Sequence, residues 1–221
     1  MTIVERDDGY WDAEDSSFYL QEVRRWPSVE RQALRYVRGR VLDVGTGAGR
    51  VALELQRRGH RVVGIDVSPS AARVARKRGV KDVRLAELGK LDDSFGRFDT
   101  VVMFGNNLGL LSSTAKAKRV LRRLHALTTD RGRIVGSNHD PHRTKDPVHR
   151  AYHRRNRARG RLAGQVRLRL RYRHRTSPWM EWLFLSPREL EGLLEGTGWR
   201  LGRVLTGELR QYAAIIDKEQ D

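Results

Sequence analysis

Apolar runs alternate with segments of helical periodicity through the first 140 residues of the chain. The runs are short and rich in valine, leucine and isoleucine, which is typical of strands buried on both faces of a parallel sheet. They lie at 40–45, 61–66, 83–86, 98–104 and 132–137. Helices are predicted between them at 48–58, at about 69–78 and at 113–127. This alternation predicts an α/β fold with a doubly wound, mostly parallel sheet.

The pattern changes after residue 140. A helix is predicted at 147–159, and a strict alternation of apolar residues and arginines over 166–175 then predicts a half-buried strand. A turn at Ser177-Pro178 leads into a second apolar strand that ends at Leu185. We therefore expect a helix and a β-hairpin in an inserted segment, 141–185, which acts as a lid on the acceptor side.

The remaining elements complete a predicted sheet of seven strands. Ser186 and Glu189 have the spacing of a capping box that begins a helix. Residues 199–206 and 211–217 predict a terminal antiparallel hairpin, so the chain, 1–221, is predicted to be a single domain. Residues 8–38, which are rich in aromatic side chains, are predicted to form a helical region.

The first apolar run ends in a glycine turn with the sequence Asp43-Val44-Gly45-Thr46-Gly47-Ala48-Gly49. Glycine permits positive φ and a close approach of backbone to ligand, and the following helix presents free N–H groups. The next strand ends at Asp66. In a βαβ unit this spacing places the carboxylate within reach of a ribose diol. The turn and Asp66 together predict a site for a nucleoside cofactor.

An acid two residues before Gly-x-Gly-x-Gly resembles motif I of the class I S-adenosylmethionine (SAM)-dependent methyltransferases. The resemblance covers roughly residues 36–140 and 186–217. It implies a Rossmann-like methyltransferase with SAM as cofactor, in which Asp43 helps to receive the ammonium group. The cofactor-binding residues expected from it are Asp43, Gly45, Thr46, Gly47, Gly49, Asp66, Val67, Glu87, Leu88, Phe104, Asn106 and Tyr10.

For Glu87 and Tyr10 the sequence also allows an interpretation without a cofactor contact. The resemblance implies that Glu87 meets the adenine amino group while the backbone N–H of Leu88 meets the ring, but Glu87 could equally be an exposed loop acid. Tyr10, with Trp11 and Asp12, either caps the cofactor pocket or packs against the sheet.

Composition limits the chemistry of the chain. The 221 residues include no cysteine, so a disulfide and a thiolate nucleophile are both excluded. No stretch approaches 18 continuous apolar residues, so we expect no membrane span, and the first fifteen residues lack the form of a signal peptide. A cytoplasmic enzyme is therefore expected; the oligomeric state is not indicated.

Candidate groups for acceptor binding and catalysis follow the fourth and fifth predicted strands. His139 and Asp140 are the catalytic candidates, because a histidine has a pKa suited to general-base work. The clustered acids of a metal-assisted enzyme are missing, and no metal is predicted. Substrate-binding candidates are Asn107, His142, Tyr152 and His153.

The net charge of +17 comes from 44 lysines and arginines against 27 acids, and it is concentrated in one segment. Residues 143–175 contain thirteen lysines and arginines and a single acid, Asp146. One hypothesis is a small-molecule methyltransferase whose lid turns its arginines to solvent or to an acidic substrate. The alternative is an RNA methyltransferase that binds phosphates. The arginines in question are Arg167, Arg169, Arg171, Arg173 and Arg175.

The small-molecule hypothesis is favoured, because the sequence contains no appended recognition domain and no evident aromatic platform beside the arginines. A third class, a protein that binds SAM without transferring its methyl group, also agrees with the motifs.

Overall fold

The computed structural model describes residues 1–208 and 210–219, which form twelve strands and six α-helices. The strands are β1 (Thr2–Arg6), β2 (Trp11–Glu14), β3 (Arg40–Val44), β4 (Arg61–Asp66), β5 (Val83–Leu85), β6 (Phe98–Met103), β7 (Thr128–His139), β8 (Gly164–Tyr172), β9 (Arg175–Thr176), β10 (Met180–Phe184), β11 (Trp199–Thr206) and β12 (Gln211–Lys218). The helices are α1 (Ser28–Ala33), α2 (Arg50–Arg57), α3 (Pro69–Lys77), α4 (Thr114–Ala126), α5 (Pro147–Ala158) and α6 (Pro187–Leu194). No described helix has both the length and the apolar composition needed to cross a membrane.

The larger sheet has seven strands in the order β11-β12-β7-β6-β3-β4-β5. Strands β3 to β7 pair in parallel, and β12 and β11 extend the sheet antiparallel. This confirms the predicted α/β fold and its terminal hairpin. Predicted bounds in this part of the fold agree within two residues, except for β7, which begins at Thr128 instead of 132.

Apolar side chains cover both faces of this sheet. One core joins Phe98, Leu121 and Trp199 on the side of α4 and α6. The second core joins Val41 and Leu55 on the side of α1, α2 and α3. Trp199 is 1% exposed, and truncating such a residue to alanine typically costs about 3–5 kcal/mol of stability. These two cores hold the carboxyl ends of the parallel strands in fixed positions.

A second sheet, with the order β10-β8-β1-β2 and β9 paired to β8, corrects the prediction for the amino terminus. The predicted β8–β10 hairpin forms, but β8 also pairs with β1 on its other edge. Residues 11–14 are therefore strand, and the prediction of a helical region there was wrong; regular helix begins only at α1. The amino-terminal residues are strand because a distant segment provides their hydrogen-bonding partner.

The alternation of arginines also ends earlier than predicted. Strand β8 stops at Tyr172, and Arg173 has a φ of +53° in the turn that follows. Arg175 then pairs with Tyr172 in β9. Because directly paired residues lie on the same face of a sheet, Arg173 and Arg175 do not continue the arginine face of Arg167, Arg169 and Arg171.

Candidate active site

The carboxyl ends of β7, β6, β3 and β4 lie side by side at one edge of the larger sheet. In open α/β sheets this is the edge where ligands bind. The turn that follows β3 contains the three glycines, and β4 ends in Asp66. Strand β6 leads to Phe104, and β7 ends in His139. The topology thus brings the glycine turn, Asp66, Phe104 and His139 to the same edge.

The glycine turn has a backbone that other residues would adopt only with strain. Gly45, Gly47 and Gly49 have φ values of +68°, +55° and +83°. A Cβ at Gly45 would lie 2.6 Å from Nδ2 of Asn107, whereas at Gly47 the nearest atom would be 3.9 Å away. The turn is therefore packed tightly on its inner side and open at Gly47, where a bound molecule can approach the backbone.

Asp66 connects the glycine turn to the neighbouring strand. Its Oδ2 accepts a hydrogen bond from the Gly47 N–H at 2.8 Å, and its Oδ1 accepts one from the Ser68 N–H at 2.8 Å. Val67, which follows, is 70% exposed. A half-buried carboxylate beside an open glycine turn fits a ribose diol and the backbone-facing part of a nucleoside cofactor.

The side chain of Asp43 is buried beneath the glycine turn. It is 2% exposed, and it accepts a hydrogen bond from Oγ1 of Thr46 at 2.7 Å. Burial raises the pKa of Asp43 to about 6. The side chain therefore fixes the conformation of the turn, and its predicted role toward an ammonium group stays a prediction.

The predicted adenine contacts lie just beyond β5. Glu87 is exposed and forms an ion pair with Lys90 at 2.8 Å, whereas the side chain of Leu88 is buried. Tyr10, the predicted cap, lies in the turn between β1 and β2. Its ring contacts His149 of α5 edge to face at 4.9 Å between centroids. These contacts do not test whether Glu87 and Leu88 bind the adenine or whether Tyr10 caps the pocket, so both roles stay predictions.

A buried polar network that was not predicted joins α1 to this edge. Glu30 accepts hydrogen bonds from Nη2 of Arg50 at 2.9 Å, from the Gly105 N–H at 2.6 Å and from Oγ of Ser137 at 2.7 Å. Ser137 Oγ also accepts from the N–H of Asn106 at 3.2 Å. One carboxylate thus holds together the first helix, the start of α2, the loop after β6 and the end of β7.

The sequence contains weak signals for this network. Glu30 lies among Val29, Ala33 and Leu34, on the apolar side of its helix, where an unpaired charge is costly. Arg50 is a cation in the first turn of α2, where the helix dipole disfavours it. Both features indicate that these residues have specific partners, although neither identifies the partner.

His139 is the predicted base on the acceptor side. Burial lowers its pKa to about 4, so the imidazole is neutral at physiological pH. Its ring is stacked with that of Phe184, with centroids 6.2 Å apart and planes at 14°. The Asp140 carboxylate accepts a hydrogen bond from the His142 N–H at 2.9 Å and begins a short 3-10 helix. His139 therefore faces β10 of the second sheet, while Asp140 caps a turn.

The four predicted substrate-binding residues do not form one group. Asn107 donates from Nδ2 to the carbonyl oxygens of Val44 and Gly45, at 2.7 and 3.2 Å, and so supports the glycine turn. His142 is paired with Glu189 of α6 at 3.0 Å. Tyr152 and His153 both lie on α5, against the second sheet. These positions leave their substrate roles as predictions.

The α5 residues are buried beneath the second sheet. Tyr152 donates from its hydroxyl to Asp7 at 2.7 Å, and the guanidinium of Arg6 lies 4.1 Å from its ring centroid. Burial and the Asp7 carboxylate raise the pKa of Tyr152 to about 12. Burial lowers the pKa of His153 to about 4. Near neutral pH both side chains are therefore uncharged.

The second sheet has one arginine-bearing face and one apolar face. Arg167 pairs with Glu181, and Arg169 with Glu5, so these residues share a face. Val166 pairs with Trp182, and Leu168 with Met180, on the other face. Trp182 packs on Gly109, where a Cβ would lie 2.0 Å from the indole nitrogen. The apolar face is therefore directed toward the carboxyl edge of the larger sheet.

Acidic residues of the amino-terminal hairpin neutralise part of the arginine-rich segment. Glu5 is paired with Arg169 at 2.8 Å and with Arg171 at 2.5 Å, and these hydrogen bonds lower the pKa of the Glu5 carboxyl. Asp8 lies 3.8 Å from Arg155. The local charge excess in the sequence is therefore smaller in the folded molecule.

Comparisons with known proteins agree with the geometry of this edge. The family model of a methyltransferase domain matches residues 41–132, which contain the glycine turn and Asp66. A SAM-dependent methyltransferase from Bacteroides fragilis, crystallised with S-adenosyl-L-homocysteine (SAH), is 26% identical with a TM-score of 0.84. The alignment covers 99% of this chain and 88% of that one, so both sheets are included.

Two further proteins have acceptors that their names specify. A 2-heptyl-1-hydroxyquinolin-4(1H)-one methyltransferase of Mycobacteroides abscessus is 38% identical over 72 residues, which are 30% of this chain and 32% of that protein. A Burkholderia thailandensis 1,6-didemethyltoxoflavin-N1-methyltransferase structure shares the fold, with a TM-score of 0.58 and 20% identity over 93% of this chain and 85% of that one.

The chain spans between about a third and just over half of the length of the curated relatives it matches. The matched domain, the seven-stranded sheet and the SAH-bound structural relative agree with one another. The chain therefore contains a segment similar to a methyltransferase domain and has the fold of the class I SAM-dependent methyltransferases, and the SAH-bound relative supports SAM as its cofactor.

Proposed function

We propose that the protein transfers a methyl group from SAM to a small-molecule acceptor. The observation that carries this proposal is the orientation of the second sheet. On its apolar face Trp182 packs on Gly109, in the loop after β6, whereas Arg167, Arg169 and Arg171 lie on the opposite face. A small apolar acceptor bound on the apolar face would lie beside the methyl donor, whereas a phosphate backbone on the arginine face would be separated from this edge by the sheet itself.

The residues at this edge would mainly align the reactants and exclude water. SAM supplies a methyl group that is already activated on a sulfonium. Asp66 would hold the ribose, and Gly47 would allow the backbone to approach the methionine part. Phe104 and Asn106 follow β6, and His139 ends β7; the acceptor would bind beside these two strands.

His139 is the proposed general base when the acceptor is a hydroxyl. Its neutral imidazole is in the form that can receive a proton, because burial keeps its pKa near 4. A base this weak is best matched to an acceptor of low pKa. Its supporting contacts come from the adjacent Asn138, whose Oδ1 accepts a hydrogen bond from the backbone N–H of His139 at 2.8 Å, and from Phe184, whose ring is stacked with the imidazole.

RNA is the second candidate acceptor, and the charge of the chain is the observation that favours it. Lysines and arginines outnumber acids by 17. Arg169 and Arg171 are already paired with Glu5, and the guanidiniums of Arg167 and Arg169 lie 5.5 and 4.5 Å from the ring centroid of Trp179. These contacts would have to be exchanged for phosphate contacts, which weakens the case for RNA.

Labelled SAM tests the proposal directly. The purified protein is incubated with methyl-labelled SAM and, in separate reactions, with a small-molecule extract and total RNA. We expect label in the small-molecule fraction and calorimetric binding of SAM and SAH. Label confined to RNA would support the second candidate. Binding of SAH without transfer to either pool would instead indicate a protein that binds SAM but does not use it.

A further inference from the structure

The apolar face of the second sheet carries an inference about the acceptor, and this inference rests on the proposed function. Cross-strand pairing places Met180 beside Leu168, and Leu170 beside Val4. Leu170 is 38% exposed, and the other three side chains are half-buried. These residues therefore form an apolar surface that a ligand can reach, not a sealed core.

This surface continues to the edge where the methyl donor binds. Met180, Trp182 and Phe184 alternate along β10 and so lie on the same face. Phe184 is stacked with His139, and the two rings are within 14° of parallel. Nearly parallel rings favour a third flat ring beside them, because aromatic groups prefer offset stacking.

Charged residues on this face include Asp12 and Arg175, which pair with Val4 and Tyr172 away from Phe184, whereas Arg6 is nearer and already has partners. Arg6 lies beside Leu168, but its Nε and Nη2 donate to Asp8 at 2.7 and 2.9 Å. Its Nη1 lies 3.0 Å from Nδ1 of His149. Arg6 is therefore not available for a phosphate or carboxylate of an acceptor without losing these contacts, and binding beside Leu168 and Met180 would depend on apolar contact.

We propose that the acceptor is a planar, largely apolar aromatic molecule with a weakly acidic hydroxyl, such as a phenol or a hydroxylated nitrogen heterocycle. Its ring would pack against Phe184, with the hydroxyl beside His139. In the transfer, the C–O bond forms as the C–S bond of the sulfonium breaks, and the sulfur keeps the electron pair. The hydroxyl proton passes to the imidazole of His139.

Matched ligands test the ring geometry. Calorimetry on the SAH-saturated protein compares 2-naphthol with 2-decalol, which has the same carbon skeleton without planarity. We expect 2-naphthol to bind more tightly. Phe184→Leu keeps an apolar side chain but removes the ring, and it should weaken 2-naphthol binding about threefold to tenfold. Trp179→Leu, on the arginine-bearing side of the same sheet, is the control and should leave binding unchanged.

The outcomes separate this inference from the proposed function. If the unaltered protein does not bind SAH, the proposed function fails. If it binds SAH but binds naphthol and decalol equally, or binds neither, the inference is overturned. Equal losses of 2-naphthol binding in the Phe184 and Trp179 variants, with SAH affinity retained in both, would also overturn it. Binding would then not depend on the apolar face in particular.

Discussion

At the scale of single residues, Glu30 is notable because its carboxylate bonds to several separate elements of the fold. It pairs with Arg50 where both side chains are almost fully buried, at 2% and 6% exposure. Glu30→Gln would leave Arg50 as a buried charge without its counterion, which costs about 3–5 kcal/mol. We expect a loss of this size in the free energy of unfolding, measured by denaturant titration.

A surface pair of the same type provides the control for Glu30. Glu22 and Arg24 are 2.9 Å apart, but both are more than 70% exposed. Glu22→Gln should change the free energy of unfolding by at most about 1 kcal/mol, since exposed pairs contribute little. Equal effects of the two substitutions would show that the buried network is not a stabilising feature.

Asp66 is the residue on which cofactor affinity should depend most. Asp66→Ala removes the proposed ribose contact and the acceptor of the Gly47 N–H, and should cost about 1.5–3 kcal/mol of SAH binding energy. Calorimetry measures the change, and Asp82→Ala, which removes a surface ion pair with Arg84, is the control. Tighter binding of NAD than of SAM by the unaltered protein would contradict the cofactor assignment.

His139 should determine how turnover responds to acid. The group is neutral above its pKa of about 4, so turnover of a hydroxyl acceptor should not fall through histidine protonation between pH 8 and pH 5. His139→Ala should lower turnover about 10²–10⁴-fold with SAM affinity nearly unchanged. A fall in turnover centred near pH 6.5 would mean that an ordinary histidine acts instead.

The difference between Asp66 and Glu30 shows how far sequence analysis reaches at this scale. The glycine turn and Asp66 could be predicted because they belong to one strand–turn–helix–strand unit with a characteristic spacing. The contacts of Glu30 could not, since Arg50 and Ser137 lie 20 and 107 residues away. The same holds for Phe184, whose position beside His139 depends on how the second sheet packs.

At the scale of secondary-structure elements, the segment 161–178 should be removable without loss of the larger sheet. Ala163, Gly164 and Val166 are its buried residues. We expect replacement by a short Gly-Ser link to leave a folded protein that binds SAH but does not transfer the methyl group. Thermal unfolding and calorimetry would measure both properties.

Replacement of α6 by a similar link is the contrasting experiment. Its side chains Leu190, Leu193 and Leu194 are buried in the first core. We expect this variant to lose cooperative unfolding. If the 161–178 replacement behaves in the same way, β8 belongs to the folding core and the lid interpretation is wrong.

The elements of the larger sheet were predictable because their periodicity is local and their bounds carry Gly, Ser or Pro signals. Ser186 and Glu189 form the predicted capping box, and Ser68 caps α3. Strands β1 and β2 carry no such signal: the four residues of β2 are all exposed. Their conformation depends on β8, so a local pattern could not reveal it.

At the scale of the whole molecule, salt separates the two acceptor classes. Five free arginines on single-stranded RNA would give a log–log salt slope of about −3.5. Because Glu5 is paired with Arg169 and Arg171, and Arg173 and Arg175 do not share their face, we expect any RNA binding to be weaker and the slope to be shallower than this value. Turnover of the small acceptor should depend little on salt; filter binding and steady-state kinetics measure the two quantities.

Charge reversal provides the second arm of this experiment. Arg167 and Arg173 are exposed, and neither forms an ion pair with an acidic residue within 1–208 and 210–219, so Arg167→Glu with Arg173→Glu should preserve both fold and turnover. Activity that is lost in this variant and recovered only at low salt would favour RNA as the acceptor.

The pairing of β1 with β8 also determines the order in which the molecule is assembled. Glu5 and Arg169, which meet across these strands, are 164 residues apart, and contacts this distant form late. During synthesis β1 and β2 emerge first. They cannot form a stable sheet until β8 has emerged, because an isolated two-stranded hairpin is marginally stable. The five parallel strands lie within residues 40–139 and can pair earlier. A nascent chain therefore acquires the strands of its proposed cofactor site before the proposed acceptor surface.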